Sequence, residues 1–108
     1  MADWREQFEA ELRAAEAARA MGNEGRARVC ARRAAGILIG EYLHQQQLPD
    51  PGPAAYERIR FAAALPSLPP AARQALEWML HRVDEEFSLP AGVDLISEAR
   101  RLRSILRL

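Results

Sequence analysis

The sequence predicts an all-α fold, an antiparallel up-and-down helical bundle of four main helices plus a short extra helix, in one domain over residues 1–108. Three observations carry the prediction. Apolar residues recur at three- and four-residue spacing, and no strand-like alternation interrupts them. All seven prolines (Pro49, Pro51, Pro53, Pro66, Pro69, Pro70 and Pro90) fall between the periodic segments, where a fixed φ and a missing N–H do least harm. The connections are short, and short connections favour antiparallel neighbours.

The first helix is expected from about Asp3, a good N-cap, to Met21. Trp4, Phe8, Leu12 and Ala15 form its apolar stripe, and Glu6 and Glu9 complement the macrodipole at its start. Gly22 ends it and Asn23 caps the next. The second helix, about Glu24 to Gln46, buries Ala27, Ala31, Ala34, Leu38 and Tyr42, with Cys30, Ile37 and Leu43 widening the stripe. Gly36 and Gly40 lie on a neighbouring face. A mid-helix glycine costs about 1 kcal/mol against alanine, so two of them at this spacing predict a close helix–helix approach, which we assign to a dimer contact.

A proline-rich turn, Leu48 to Pro53, precedes the short third helix, whose inward candidates are Tyr56, Ile59 and Ala63. After the Pro66 to Pro70 turn, the fourth helix is expected from about Ala71 to Phe87, with Ala72, Leu76, Met79, Leu80, Val83 and Phe87 on its stripe. The fifth starts near Asp94 and presents Leu95, Ala99, Leu102 and Leu106. Ile96 and Ile105 lie beside that stripe and are further candidates for a dimer interface.

Composition excludes several function classes. A chain of 108 residues has room for one core, and one of this size buries roughly two-thirds of its unfolded surface. The 15 acidic and 15 basic residues cancel, against the basic excess of a dedicated nucleic-acid binder and against attraction to anionic membranes. Every basic residue is arginine, which fits the codon bias of a GC-rich bacterial genome. The single cysteine, Cys30, forms no internal disulfide, so a reducing cytoplasm is the expected compartment. Met1 to Leu12 is charged and does not read as a signal peptide. The longest uncharged stretch, Phe61 to Ala72, contains three prolines and is unsuited to spanning a bilayer.

Few constellations suggest chemistry. Glu77, His81 and Glu85 share a helical face, with Asp84 adjacent, but a bundle metal site draws further ligands from facing helices. The only other histidine is His44, and the set reads better as a solvated face with no metal. Cys30 lacks a histidine at a spacing that suggests a dyad, so it reads as a small buried residue rather than a nucleophile. Gly22-Asn23-Glu24-Gly25 lacks the Lys-Ser/Thr of a phosphate loop, and no cofactor is implied. Arg26, Arg28, Arg32 and Arg33 gather charge early in the second helix and are the anion-binding candidates. Arg100, Arg101, Arg103 and Arg107 do the same at the C-terminus. Neither cluster interleaves aromatics for base stacking, so salt bridging is the favoured reading for both.

The run Gly22-Asn23-Glu24-Gly25-Arg26-Ala27-Arg28-Val29-Cys30-Ala31-Arg32-Arg33-Ala34-Ala35-Gly36, followed by Tyr42-Leu43, resembles the second helix of HEPN domains. The proline-rich approach, the helix around Leu76 and the late Glu98-Ala99 are similar too. The resemblance implies a bundle of four main helices plus a short one, paired as a homodimer. It also implies one of two roles: a metal-independent ribonuclease, often a toxin, or a non-catalytic domain that accompanies a nucleotidyltransferase. The ribonucleases of that family carry an arginine, four to six residues, then a histidine. Here His44 would need an arginine where Ile37, Leu38 and Ile39 stand, and His81 one where Gln74, Ala75 and Leu76 stand. Arg73 is one position too far from His81. The expectation is therefore a non-enzymatic, dimeric interaction module with a protein partner such as a nucleotidyltransferase. The alternatives are a degenerate ribonuclease and a binder of small anions or nucleotides.

Overall fold

Five helices, α1 (Trp4–Ala20), α2 (Glu24–Gln45), α3 (Ala55–Ala63), α4 (Pro70–Leu80) and α5 (Leu95–Leu106), make up the computed structural model, which describes residues 3–81 and 92–108. No strand occurs among the described residues. The architecture is the helical bundle that the periodicity predicts, and α2 is its centre, packed against α1, α3 and α5 while α4 bridges α3 and α5. No described helix is long and apolar enough to cross a membrane.

The helix ends follow local chemistry. Asp3 caps α1 through a hydrogen bond from the Arg5 N–H (3.3 Å). Gly22, at φ +79°, turns the chain between α1 and α2, a left-handed conformation that glycine adopts freely. Asn23 then accepts the Arg26 N–H at 3.0 Å and caps α2. Pro70 occupies the first turn of α4, where an N–H would have no intrahelical partner. Asp94 caps α5 by accepting the Ile96 N–H at 3.1 Å.

The core joins all five helices through Phe8 and Leu12 of α1, Leu38, Ile39 and Leu43 of α2, Ile59 of α3, Leu76 of α4 and Leu95 and Leu102 of α5. Each large side chain of this kind contributes about 1.5–3 kcal/mol on burial. Ala27, Ala31, Ala34 and Ala35 are fully buried and let neighbouring helices approach α2 closely. Trp4 is only half-buried, with the Arg5 and Arg103 guanidiniums 4.7 and 5.1 Å from its ring centroid.

Four expectations need correction. Tyr56, expected inward with Ile59 and Ala63, is 57% exposed; Ile59 is buried as expected, and Ala62 rather than Tyr56 shares the buried side of α3 with it. Ile96 is buried within its own chain, so it offers no contact to a second molecule, whereas Ile105 is half-buried. α4 ends at Leu80, with His81 already extended (φ −61°, ψ 122°); Val83 and Phe87 lie outside the described residues.

The fourth correction concerns the two glycines. Both mark a close approach, but α3 of the same chain makes it. A Cβ on Gly36 would stand 2.8 Å from the Cα and Cβ of Ala55, and one on Gly40 would stand 2.6 Å from the Arg58 guanidinium carbon. Arg58 lies there because Asp50 grips it in a bidentate pair (Nε to Oδ1 3.0 Å, Nη2 to Oδ2 2.7 Å). The same carboxylate accepts the Gly52 N–H at 3.0 Å. The proline-rich turn, α3 and the glycine face of α2 are thereby fastened together, and Gly36 is not free to serve an interface between copies.

Candidate functional site

A groove of about 490 Å³ lies between α2, α3 and the end of α4. Its inner surface is apolar, with Ile59 and Met79 buried beneath it. Val29 of α2 and Tyr56 of α3 flank it. Together with Met21 they are the exposed large hydrophobic residues among those described. Polar character comes from Arg32 and Arg33 on the α2 side and from His81 just past the end of α4.

The helical register of α2 places Arg32 where it both supports the groove and faces it. Its Nε–H donates to the Met79 carbonyl at 2.9 Å, one of the last carbonyls of α4, which lack partners within their own helix. Burial pulls the Arg32 pKa below the usual arginine value, and the neighbouring positive charge of Arg28 adds to the effect. Arginine nonetheless stays protonated at any physiological pH. Arg33 is exposed, and neither Arg32 nor Arg33 meets a carboxylate among the described residues.

The four anion-binding candidates therefore separate. Arg32 and Arg33 share the groove. Arg26 lies along a hollow on the α1 side with Ala14, Ala18 and Met21. Arg28 is half-buried, and its charge helps hold the Glu24 carboxyl low. Glu24 is held low first of all by Arg19, whose Nε–H donates to it at 2.7 Å. This carboxylate at the first turn of α2 weakens the turn before it as an anion site.

The other sequence candidates find plain structural roles. Cys30 is buried as a free thiol. Glu77 and His81 are exposed, and the His81 ring packs edge-on to Trp78 at 6.3 Å. Because His81 has left the helix, helical spacing does not relate it to Glu77. Glu85 and Asp84 lie outside the described residues, and no cluster of three metal-ligating side chains occurs among those described. Of the C-terminal arginines, Arg100 pairs with Glu16 (2.7 Å) and Glu9 (3.7 Å), Arg101 with Glu98 (3.5 Å) and Arg103 with Glu9 (3.3 Å). Arg107 takes a left-handed conformation as the C-cap of α5.

Arg73, the residue closest to the spacing of a ribonuclease arginine, is committed to the turn between α3 and α4. Its guanidinium donates to the carbonyls of Ala63 (3.1 Å), Leu65 (2.7 Å) and Leu68 (3.4 Å). The described residues lining the groove include no carboxylate, thiol or hydroxyl other than the Tyr56 phenol, and one imidazole, that of His81. No motif announces the groove, since Val29, Tyr56 and Met79 come from three different helices.

Comparison with known proteins found no similarity: no family model matches the chain, and no curated protein or solved structure matches it.

Proposed function

We propose that the protein is a non-catalytic binding module whose working surface is the α2–α3–α4 groove. The observation that carries this reading is the placement of Val29 and Tyr56. Most large apolar side chains of the described residues are drawn into the core or packed against it, yet these two flank a single apolar concavity of about 490 Å³. Exposed apolar surface gathered at one concavity marks a recognition site more often than surface scattered singly.

A nuclear magnetic resonance screen of the full chain with a fragment set of mixed charge tests the reading. Binders should shift the amide signals of Val29, Arg33, Tyr56 and Leu80. Shifts gathered elsewhere on the molecule, or none at all, would overturn it.

The HEPN resemblance extends the proposal to a homodimer that serves a protein partner such as a nucleotidyltransferase in the cytoplasm. The Gly22–Gly36 run and the five-helix order support this extension. A dimer surface has to avoid the Gly36 and Gly40 face, which α3 occupies, and Ile105 remains a candidate within it. Native mass spectrometry checks it: a species near twice 12.1 kDa is expected, and a monomer at every concentration would refute it.

A further inference from the structure

We infer that the groove binds a small amphipathic carboxylate, with its apolar body against Tyr56, Ile59 and Met79 and its acid group held by Arg32 and Arg33. The inference rests on the groove being the working surface proposed above, and it adds the chemical class of the ligand.

Size and lining come first. A volume of about 490 Å³ lies within the usual range of roughly 300–1,000 Å³ for small-molecule sites, which are mostly apolar with a few convergent polar groups. Here the cationic groups come from adjacent positions on α2. No glycine-rich loop is present to cradle a polyphosphate, and apolar lining dominates the rest. A compact acid on an apolar body matches that division, and a nucleotide does not.

Arg32 supplies the electrostatic argument. Among the described residues, the half-buried Arg19 pairs with Glu24 and Asp94, Arg58 with Asp50 and Arg103 with Glu9. Arg73 has found three carbonyls. Arg32 has one carbonyl on its Nε, which fixes the guanidinium plane, while both Nη groups lack an acceptor among the described residues. Removing a cation from water without a counter-charge is costly, and the direction of the Arg32 shift shows that cost. A ligand carboxylate would provide the planar, bidentate partner that guanidinium geometry favours.

The test is a titration of the full chain with decanoate, decyltrimethylammonium and decanol, each below its micelle threshold, followed by nuclear magnetic resonance and calorimetry. Decanoate should bind saturably, one per chain, shift the Arg32, Arg33 and Tyr56 signals and weaken as ionic strength rises. The neutral and cationic analogues should bind at least about tenfold more weakly, the scale of one charge-assisted hydrogen bond. Arg33→Gln and Tyr56→Ala, at exposed positions where folding is preserved, should each weaken decanoate by about tenfold. Decanol or the cation binding the groove as tightly as decanoate, or Arg33→Gln leaving decanoate unchanged, would overturn the ligand class and leave the groove standing as a binding surface. If none of the three compounds shifts a groove signal, the ligand class and the groove reading fail together.

Discussion

Where α5 runs beside α1, acids answer arginines. Arg100 and Arg103 reach Glu9 and Glu16, and Arg19 at the end of α1 reaches both Glu24 and Asp94. In the groove between α2, α3 and α4, Arg32 meets only a carbonyl and Arg33 meets no acid among the described residues. The first region is closed on itself. Its ion pairs are individually weak because most of the partners are well exposed, so each contributes about 0–1 kcal/mol, and the apolar packing beneath them does most of the holding. The second region keeps apolar area and positive charge uncommitted. The difference separates arginines paired with acids from Arg32 and Arg33, which have none among the described residues.

The sharpest way to break this contrast is Phe8→Ala. Phe8 is buried in α1 under the Arg103 guanidinium, 5.4 Å from its ring centroid, and its loss should cost about 3–5 kcal/mol in a denaturation experiment. Tyr56→Ala, a truncation of similar size on the groove side, should cost far less because the ring is already exposed.

Next come the two glycines, which contact α3 in different ways. Gly36→Ala drives a methyl into the Ala55 backbone, so stability should fall by about 1–3 kcal/mol. Gly40→Ala meets only the far end of Arg58, which must shift and loosen its pair with Asp50. The gain in helix propensity, about 1 kcal/mol, offsets much of that loss, so the variant should stay within about 1 kcal/mol of the original. Equal losses in the two would show that α3 does not rest on Gly36 as described.

Acid should loosen the paired regions. Arg19 holds the Asp94 carboxyl below its ordinary value, and Ser97 and the Ile96 N–H assist; Arg58 does the same for Asp50, and Arg19 for Glu24. A carboxyl whose folded-state pKa is depressed contributes stability that is present above its unfolded pKa and lost as pH falls through the folded one. Stability should therefore decline below about pH 4. Asp94→Asn, which keeps a capping oxygen but no charge, should flatten that decline, whereas Asp94→Ala should also lose the cap, worth about 0.5–2 kcal/mol. An unchanged acid profile in Asp94→Asn would remove this residue from the account. The smallest expected effect on stability is that of Arg33→Gln, within about 0.5 kcal/mol of zero, and a large loss would mean that Arg33 serves the fold after all.

Much of the bundle was legible in the sequence because it rests on local rules. Phe8, Leu12 and Ala15 recur at helical spacing and are buried together, and Asp3, Asn23 and Asp94 cap the helices they precede. What failed was assigning partners to faces. Gly36 and Gly40 announce a close approach, but spacing alone does not say whether the approaching backbone belongs to the same chain. Tyr56 fits the apolar period that correctly places Ile59, but Ala55 and Ala62 take the inward side beside Ile59, and nine residues give few turns by which to tell them apart. The groove was illegible for a different reason. It exists only once Val29, Tyr56 and Met79 are brought together from three helices, and Arg32 becomes unusual only when the other half-buried arginines are seen to have partners.

Cys30 has a practical consequence. Its thiol is 1% exposed in the centre of α2, and it is the only one in the chain. A thiol reagent can reach it only through transient openings of the core around α2, so its labelling rate serves as a clock for those excursions. Read at increasing denaturant, that clock would distinguish brief local breathing of α2 from whole-molecule unfolding, with no dye or tag added to the protein.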